Sequence, residues 1–156
     1  MTETSSHESI LIVEDNPDDA ELAVIALHQK GINMPYLIAR DGEEALDIAL
    51  KRKPLPDQKP TELGLILLDL KLPGKNGIEV LKELRASPNT RYVPVVVLTT
   101  SMLEEDMIQS YENGANSFVR KPVDFATFQH YIELICHYWL HTNLRPALSI
   151  SQRPSS

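Results

Sequence analysis

The sequence predicts an α/β domain built on a doubly wound, five-stranded parallel sheet. Three observations carry that prediction. The runs Ile10-Leu11-Ile12-Val13, Leu65-Ile66-Leu67-Leu68 and Val95-Val96-Val97-Leu98 are continuously apolar, as strands covered on both faces are. Segments with helical spacing separate the strands in the order βαβαβαβαβα, which implies parallel strands with helices on both sides. Polar groups stand where strands end: Glu14 and Asp15, Asp69, Thr99 and Lys121. In an open sheet of this kind the ligand site lies beyond the carboxyl ends of the strands, so these groups are expected to meet at one edge.

Taken in order, residues 1–8 read as a disordered lead and Ser9–Glu14 as the first strand. Asn16-Pro17 opens the first helix, with Asp18, Asp19 and Glu21 in turns where acids suit the helix dipole. Leu22, Ile25 and Ala26 are expected inward, and Gly31 ends the helix. Tyr36–Ala39 is the second strand. A turn at Asp41-Gly42 leads to a helix with Ala45, Ile48 and Ala49 inward. The stretch Lys53 to Leu63 carries three prolines and reads as a long solvated connection. Gly64–Asp69 is the third strand. Gly77–Ala86 is the third helix, apolar at Val80, Leu81 and Leu84 and stopped by Ser87-Pro88. Pro94–Thr99, Glu104–Asn113 and Asn116–Arg120 follow as strand, helix and strand, with Gly114 closing the helix. Asp124 caps a last helix that runs to about Leu140, and an acid-free tail, expected to be largely mobile, occupies 141–156.

Composition sets bounds. The chain has 156 residues with 42% hydrophobic and 24% charged, enough for one domain with a real core. A net charge of −7 argues against nucleic-acid binding. No apolar run is long enough for a membrane span, and the polar N-terminus does not read as a secretory signal. One cysteine, Cys136, excludes an intrachain disulfide and suits a cytoplasmic setting; its place in a helical apolar pattern marks a buried, inert thiol.

The strand-end residues suggest a chemistry. Three carboxylates in one site repel one another, and a hard cation relieves that repulsion. Asp15 and Asp69 would bind Mg²⁺ directly, Glu14 mainly through water, and the backbone carbonyl of Lys71 would complete the protein's share. Asp69 would also be the nucleophile that accepts a phosphoryl group. The Lys121 ammonium and the Thr99 hydroxyl would neutralise the transferring oxygens. The Lys121–Pro122 bond is a candidate cis peptide that would aim the lysine inward.

These residues resemble the receiver domain of bacterial two-component response regulators over about residues 9–140. The motifs are Val13-Glu14-Asp15, Leu68-Asp69-Leu70-Lys71-Leu72-Pro73, Asn76-Gly77, Leu98-Thr99-Thr100 and Lys121-Pro122. The resemblance implies a flavodoxin-like, three-layer α/β/α fold with strand order 2-1-3-4-5, and phosphoryl transfer from a histidine kinase to Asp69. It implies a switch in which Thr99, with Thr100 beside it, moves toward the phosphate and Phe118 turns inward. Phe118 stands where many receivers carry tyrosine, so the packing role survives without the hydroxyl. Lys71 and Ser101 match the positions that tune dephosphorylation. The first helix and the loop after the fifth strand match the kinase-docking region, where Ala23, Val24 and Leu27 form an apolar set. With only a tail after the last helix, the chain reads as a single-domain regulator without an output domain. The Pro-rich connection, Thr99-Thr100-Ser101 and the run Tyr138-Trp139-Leu140 resemble the regulators that partner bacterial phytochrome kinases.

On the last helix, Phe125, Phe128, Ile132, Ile135 and Trp139 form one stripe, and Tyr131, Leu134 and Tyr138 a second beside it. One stripe covers a core; the surplus suits an interface, here a homodimer through the fourth helix, fifth strand and fifth helix. Two other functions compete. An aspartate-nucleophile phosphatase needs a second acid two residues past Asp69, where this chain has Lys71. A receiver-like module that works without phosphorylation predicts loss of an acid, Thr or Lys from the set, and none is lost.

Overall fold

The computed structural model describes residues 8–53 and 62–146. Five parallel strands form one sheet in the order β2-β1-β3-β4-β5. They are β1 (Glu8–Val13), β2 (Tyr36–Ala39), β3 (Glu62–Leu68), β4 (Val95–Thr99) and β5 (Ser117–Arg120). The helices between and after them are α1 (Pro17–Gln29), α2 (Gly42–Ala49), α3 (Gly77–Ala86), α4 (Glu104–Glu112) and α5 (Phe125–Cys136). The chain leaves β1 toward β2, then crosses back to place β3 on the other side of β1. Strand order therefore reverses between β1 and β3, and a crevice opens there at the carboxyl edge.

Successive strand residues face opposite sides, which splits the core in two. Ile10, Ile12, Leu65, Leu67, Val96 and Leu98 pack against Ala23, Ala26 and Leu27 of α1 and Phe128, Ile132 and Ile135 of α5. Leu11, Val13, Ile66, Leu68 and Val95 pack against Ala45 and Leu46 of α2 and Val80, Leu81 and Leu84 of α3. The inward face of α1 is Ala20, Ala23, Ala26 and Leu27, whereas Leu22 is exposed. The sequence reading set Leu22 inside and Ala23 and Leu27 on a docking face. The small alanines are buried instead, because they let α1 lie close to the sheet and to α5.

Helix starts follow side-chain caps. Asn16 accepts from the Asp18 and Asp19 N–H groups, Asp41 from Glu44, and Asp124 from Thr127. Asn76 and Glu79 form a reciprocal capping box that starts α3. Gly77 is required there, since a Cβ would lie 2.6 Å from the Asp69 carbonyl oxygen. Gly114, one residue past the α4 cap Asn113, has φ +104° and packs on the Arg85 side chain. The Arg85 guanidinium donates to the carbonyls of Gly114 (2.9 Å), Thr90 (3.0 Å) and Val93 (2.8 Å) and to Asn116 Oδ1 (2.8 Å), tying the loops at the amino edge of β4 and β5.

The last helix departs from expectation. Regular α-helix ends at Cys136, and a π-helical turn covers His137–Thr142. The wider turn sets Trp139 and Leu140 against the α1–α5 half of the core. Leu140 also lies on Gly64 of β3, where a Cβ would approach it to 3.0 Å. The beginning of the tail is held, not mobile. Arg145 pairs with Glu8 of β1 (2.8 Å) and donates to the carbonyls of Gly64 and Leu63 (both 3.2 Å). Residues 1–7, most of the Pro-rich connection (54–61) and 147–156 lie outside the described residues. Cys136 is buried, and that burial pushes its thiol up to about 12, in keeping with an inert role.

Arg145 therefore joins two strands to the chain after α5. Arg145→Ala should lower unfolding free energy by about 1–2 kcal/mol, because a charge-assisted pair and two carbonyl bonds are lost together. Urea denaturation checks this, and the far-UV spectrum should be unchanged.

Candidate functional site

Glu14 and Asp15 follow β1 and Asp69 follows β3, on either side of the crevice where strand order reverses. Their carboxylate oxygens come within 4.8 Å of one another. Glu14 and Asp69 are buried and Asp15 is exposed. Lys121, just past β5, reaches across this cluster with its side chain only 11% exposed. Its Nζ donates to Glu14 Oε1 (2.5 Å), Asp69 Oδ2 (3.2 Å) and Asp19 Oδ2 (3.3 Å). The other Asp69 oxygen accepts from the Lys71 backbone N–H at 3.1 Å, and Glu14 Oε2 accepts from the Asn16 N–H at 3.2 Å.

Electrostatics follow from that packing. Burial pushes the Glu14 carboxyl up to about 7; the Lys121 hydrogen bond pulls it down and the Asp69 charge pushes it up. Burial works against a charged Lys121, but the Glu14 hydrogen bond and the Asp69, Glu14 and Asp19 charges outweigh it, and its pKa is raised. The low-dielectric wall is visible: Leu22 and Ala23 of α1, with Pro122, Val123, Phe125 and Phe128, line a cleft beneath the acids. No cis peptide occurs among the described residues, so Lys121–Pro122 is trans. The lysine points inward for another reason. Its backbone N–H donates to the Thr99 carbonyl at 2.8 Å, which continues the β4–β5 pairing one step past β5.

The remaining expected residues divide. Thr99 is fully buried, and its hydroxyl accepts from the Ser101 N–H at 3.2 Å. Thr100 is exposed at the rim, and Lys71 is exposed beside Asp69. Ser101 is directed away from the acids: its hydroxyl donates to Asp106 at 2.6 Å and accepts from the Leu103 N–H at 3.2 Å. That substitutes for the cap that Leu103 itself does not give α4. Phe118 lies in a groove with Met107, Tyr131 and Leu134. Asp19 was read only as a dipole complement. No local pattern marks its place at the site, which depends on how α1 lies against α5 and the loop after β5.

The donor set suits a hard divalent cation. It offers carboxylate oxygens alone, without thiol or imidazole, and one buried ammonium does not balance three acids. The chain matches the family described as the response regulator receiver domain over residues 10–133. It belongs to that family. The response regulator Rcp1 of Synechocystis sp. is 37% identical over 145 residues, spanning 93% of this chain and 97% of Rcp1. The crystal structure of phosphorylated RcpA, a cyanobacterial phytochrome response regulator, superposes with a TM-score of 0.80 at 34% identity, covering 90% of this chain and 99% of RcpA. That of Rcp1 with Mn²⁺ bound gives a TM-score of 0.77 at 37% identity, covering 89% and 99%.

The chain is thus a phosphoacceptor response regulator with the flavodoxin-like fold and strand order 2-1-3-4-5. Receiver domains bind a divalent metal at this acidic site, interact with histidine kinases, and are generally signalling proteins rather than enzymes. Among the described residues no helix is long and apolar enough to cross a membrane.

A cation that binds only the folded acids must stabilise the fold. Mg²⁺ or Mn²⁺ at a hundred times its Kd should add about 2.7 kcal/mol to the unfolding free energy. Thermal melts with and without metal check this, and the gain should vanish in Asp15→Ala/Asp69→Ala.

Proposed function

We propose that Asp69 is the phosphoacceptor, loaded in the cytoplasm by a sensor histidine kinase of the bacterial phytochrome class. The observation that carries this is the Asp69 carboxylate itself. It is nearly buried at the end of β3, one oxygen on the Lys71 N–H and the other on Lys121. The kinase class is supported by likeness to RcpA and Rcp1 along almost their whole length.

In the transfer, an Asp69 oxygen forms a bond to phosphorus as the phosphorus–nitrogen bond to the donor histidine breaks, and the electron pair stays with the imidazole. Lys121 offsets charge on one phosphoryl oxygen. The Thr99 hydroxyl now accepts from Ser101, which leaves its own proton free to donate to a second oxygen. Asp15 and Asp69, with Glu14 through water and the Lys71 carbonyl, would hold Mg²⁺, whose charge offsets that of the remaining oxygens. Lys71 and Ser101 tune the lifetime of the phosphate, with Lys71 the stronger because the Ser101 hydroxyl is tied to Asp106. No second acid stands at Lys71's position to protonate a leaving group, so turnover of external monoesters is not expected.

The readout is a homodimer through α4, β5 and α5. Leu134 is 54% exposed and Tyr138 48%, and Tyr131 and Phe118 line the adjoining groove. Phe118 and Thr100 would relay the state of Thr99 to that face.

Incubation with a small acyl-phosphate donor and Mg²⁺, followed by intact mass, should give one phosphate adduct that is absent in Asp69→Asn. A persistent adduct in that variant would overturn the assignment, and steady phosphate release from many monoesters would favour a phosphatase. Leu134→Glu/Tyr138→Glu should leave a folded monomer by sedimentation velocity. A wild type monomeric at high concentration, phosphorylated or not, would refute the dimer.

A further inference from the structure

We infer that Asp19 is a positioning residue that acts through Lys121: it competes with the phosphoryl group for the lysine and so limits how tightly the site holds phosphate. The inference rests on the Asp69 assignment and goes beyond it to what sets the affinity of that site.

Lys121 has three N–H donors, and each has a carboxylate partner. An incoming phosphoryl oxygen must share or displace one of them. The three partners are not equivalent. Glu14 and Asp69 belong with Asp15 to the group whose oxygens converge closely enough to share one cation. Glu14 and Asp69 would divide their charge between such a cation and the lysine. Asp19 is outside that group. Its pair within that cluster is Lys121 alone, so it would remain the carboxylate that competes for the lysine when a cation is bound.

Charge balance points the same way. With Glu14 ionised, Lys121 and one divalent cation would together offset Glu14, Asp15 and Asp69, and Asp19 adds one further negative charge beside the lysine. A phosphoryl group on Asp69 adds further negative charge, and like charges at this range disfavour each other.

Asp19 is also held in place. It lies in the first turn of α1, where the Asn16 side chain accepts from its N–H at 3.1 Å. Its side chain is 39% exposed, against 7% for Glu14 and 10% for Asp69. Removing its charge therefore leaves no buried group without a partner, and the fold does not depend on it.

The test uses beryllofluoride, a phosphoryl mimic, titrated calorimetrically into the full chain at saturating Mg²⁺. Asp19→Asn keeps the shape and an acceptor oxygen but loses the charge. It should tighten beryllofluoride binding roughly threefold to fivefold, the scale of a half-exposed ion pair. The phosphate adduct formed with a small acyl-phosphate donor should rise in parallel. Asp19→Glu should restore wild-type affinity. In a Lys121→Ala background the same Asp19→Asn change should have little effect, because the group it competes for is gone. Unchanged or weaker binding in Asp19→Asn overturns the inference, as does full tightening without Lys121, which a merely long-range field would give. A wild type that binds no beryllofluoride and takes no phosphate overturns the Asp69 assignment instead, and with it this one.

Discussion

The ammonium of Lys121 is the constraint on which the site depends. Glu14 and Asp69 are buried within reach of each other at the ends of neighbouring strands, where their charges repel in a poorly screened setting. Lys121 is itself shielded from water and gains by standing between them. The arrangement exchanges one unfavourable burial for another that is compensated, and it leaves the site short of positive charge. That deficit suits the divalent cation that receiver domains bind at this site, and on the proposed reading a phosphoryl group after it. A neutral or over-compensated site at the same edge has no such appetite.

The backbone supplies what the charges need. Reversal of strand order between β1 and β3 opens the crevice, so Glu14-Asp15 and Asp69 stand side by side without any insertion in the fold. Gly77 lets α3 begin directly against the Asp69 carbonyl, which fixes the loop that carries the proposed phosphoacceptor. Asn16 orders the other rim, since its side chain starts α1 and its N–H satisfies Glu14. At the far edge, Arg85 and Arg145 hold the amino ends of the strands by hydrogen bonds to carbonyls. The two edges differ in kind: at one, arginines are held mostly by backbone carbonyls, with Glu8 pairing Arg145; at the other, one lysine is shared among three carboxylates.

Much of this was legible in the sequence because it is local or periodic. Continuous apolar runs gave the strands, Asn16-Pro17, the Asp41-Gly42 turn and the Asp124 cap gave helix starts, and polar residues at the ends of β1, β3, β4 and β5 marked the working edge. Tyr36–Ala39 and Gly77–Ala86 fall at their expected limits. What could not be read required knowing how elements lie on one another. The face that α1 buries depends on its rotation against α5. The Asp19–Lys121 pair spans the sheet. The π-helical turn at His137–Thr142 arises where Leu140 meets Gly64 of β3, a contact no pattern within α5 announces. The trans bond at Lys121–Pro122 belongs with these: the lysine is aimed by strand pairing, which local sequence chemistry does not contain.

A link from the charged edge to the proposed α4–β5–α5 face would run through Thr99. Its carbonyl accepts from the Lys121 N–H, and its hydroxyl accepts from Ser101. Ser101 in turn holds Asp106 and the Leu103 N–H, while its carbonyl accepts from Arg120 of β5 at 3.2 Å. Leu103 gives α4 no side-chain cap, and Ser101 braces the first turn through the Asp106 carboxylate and the Leu103 N–H. Were the Thr99 hydroxyl to turn toward a phosphoryl group on Asp69 while still accepting from the Ser101 N–H, it would pull Ser101 with it, and the support of α4 would have to shift. Because α4 buries only Ser110 of its own residues, it has little core contact to resist that shift. On the proposed reading, a charge added at one edge would act on one weakly anchored helix, while the apolar layers around α1, α3 and α5 have far more contact to hold them as they are.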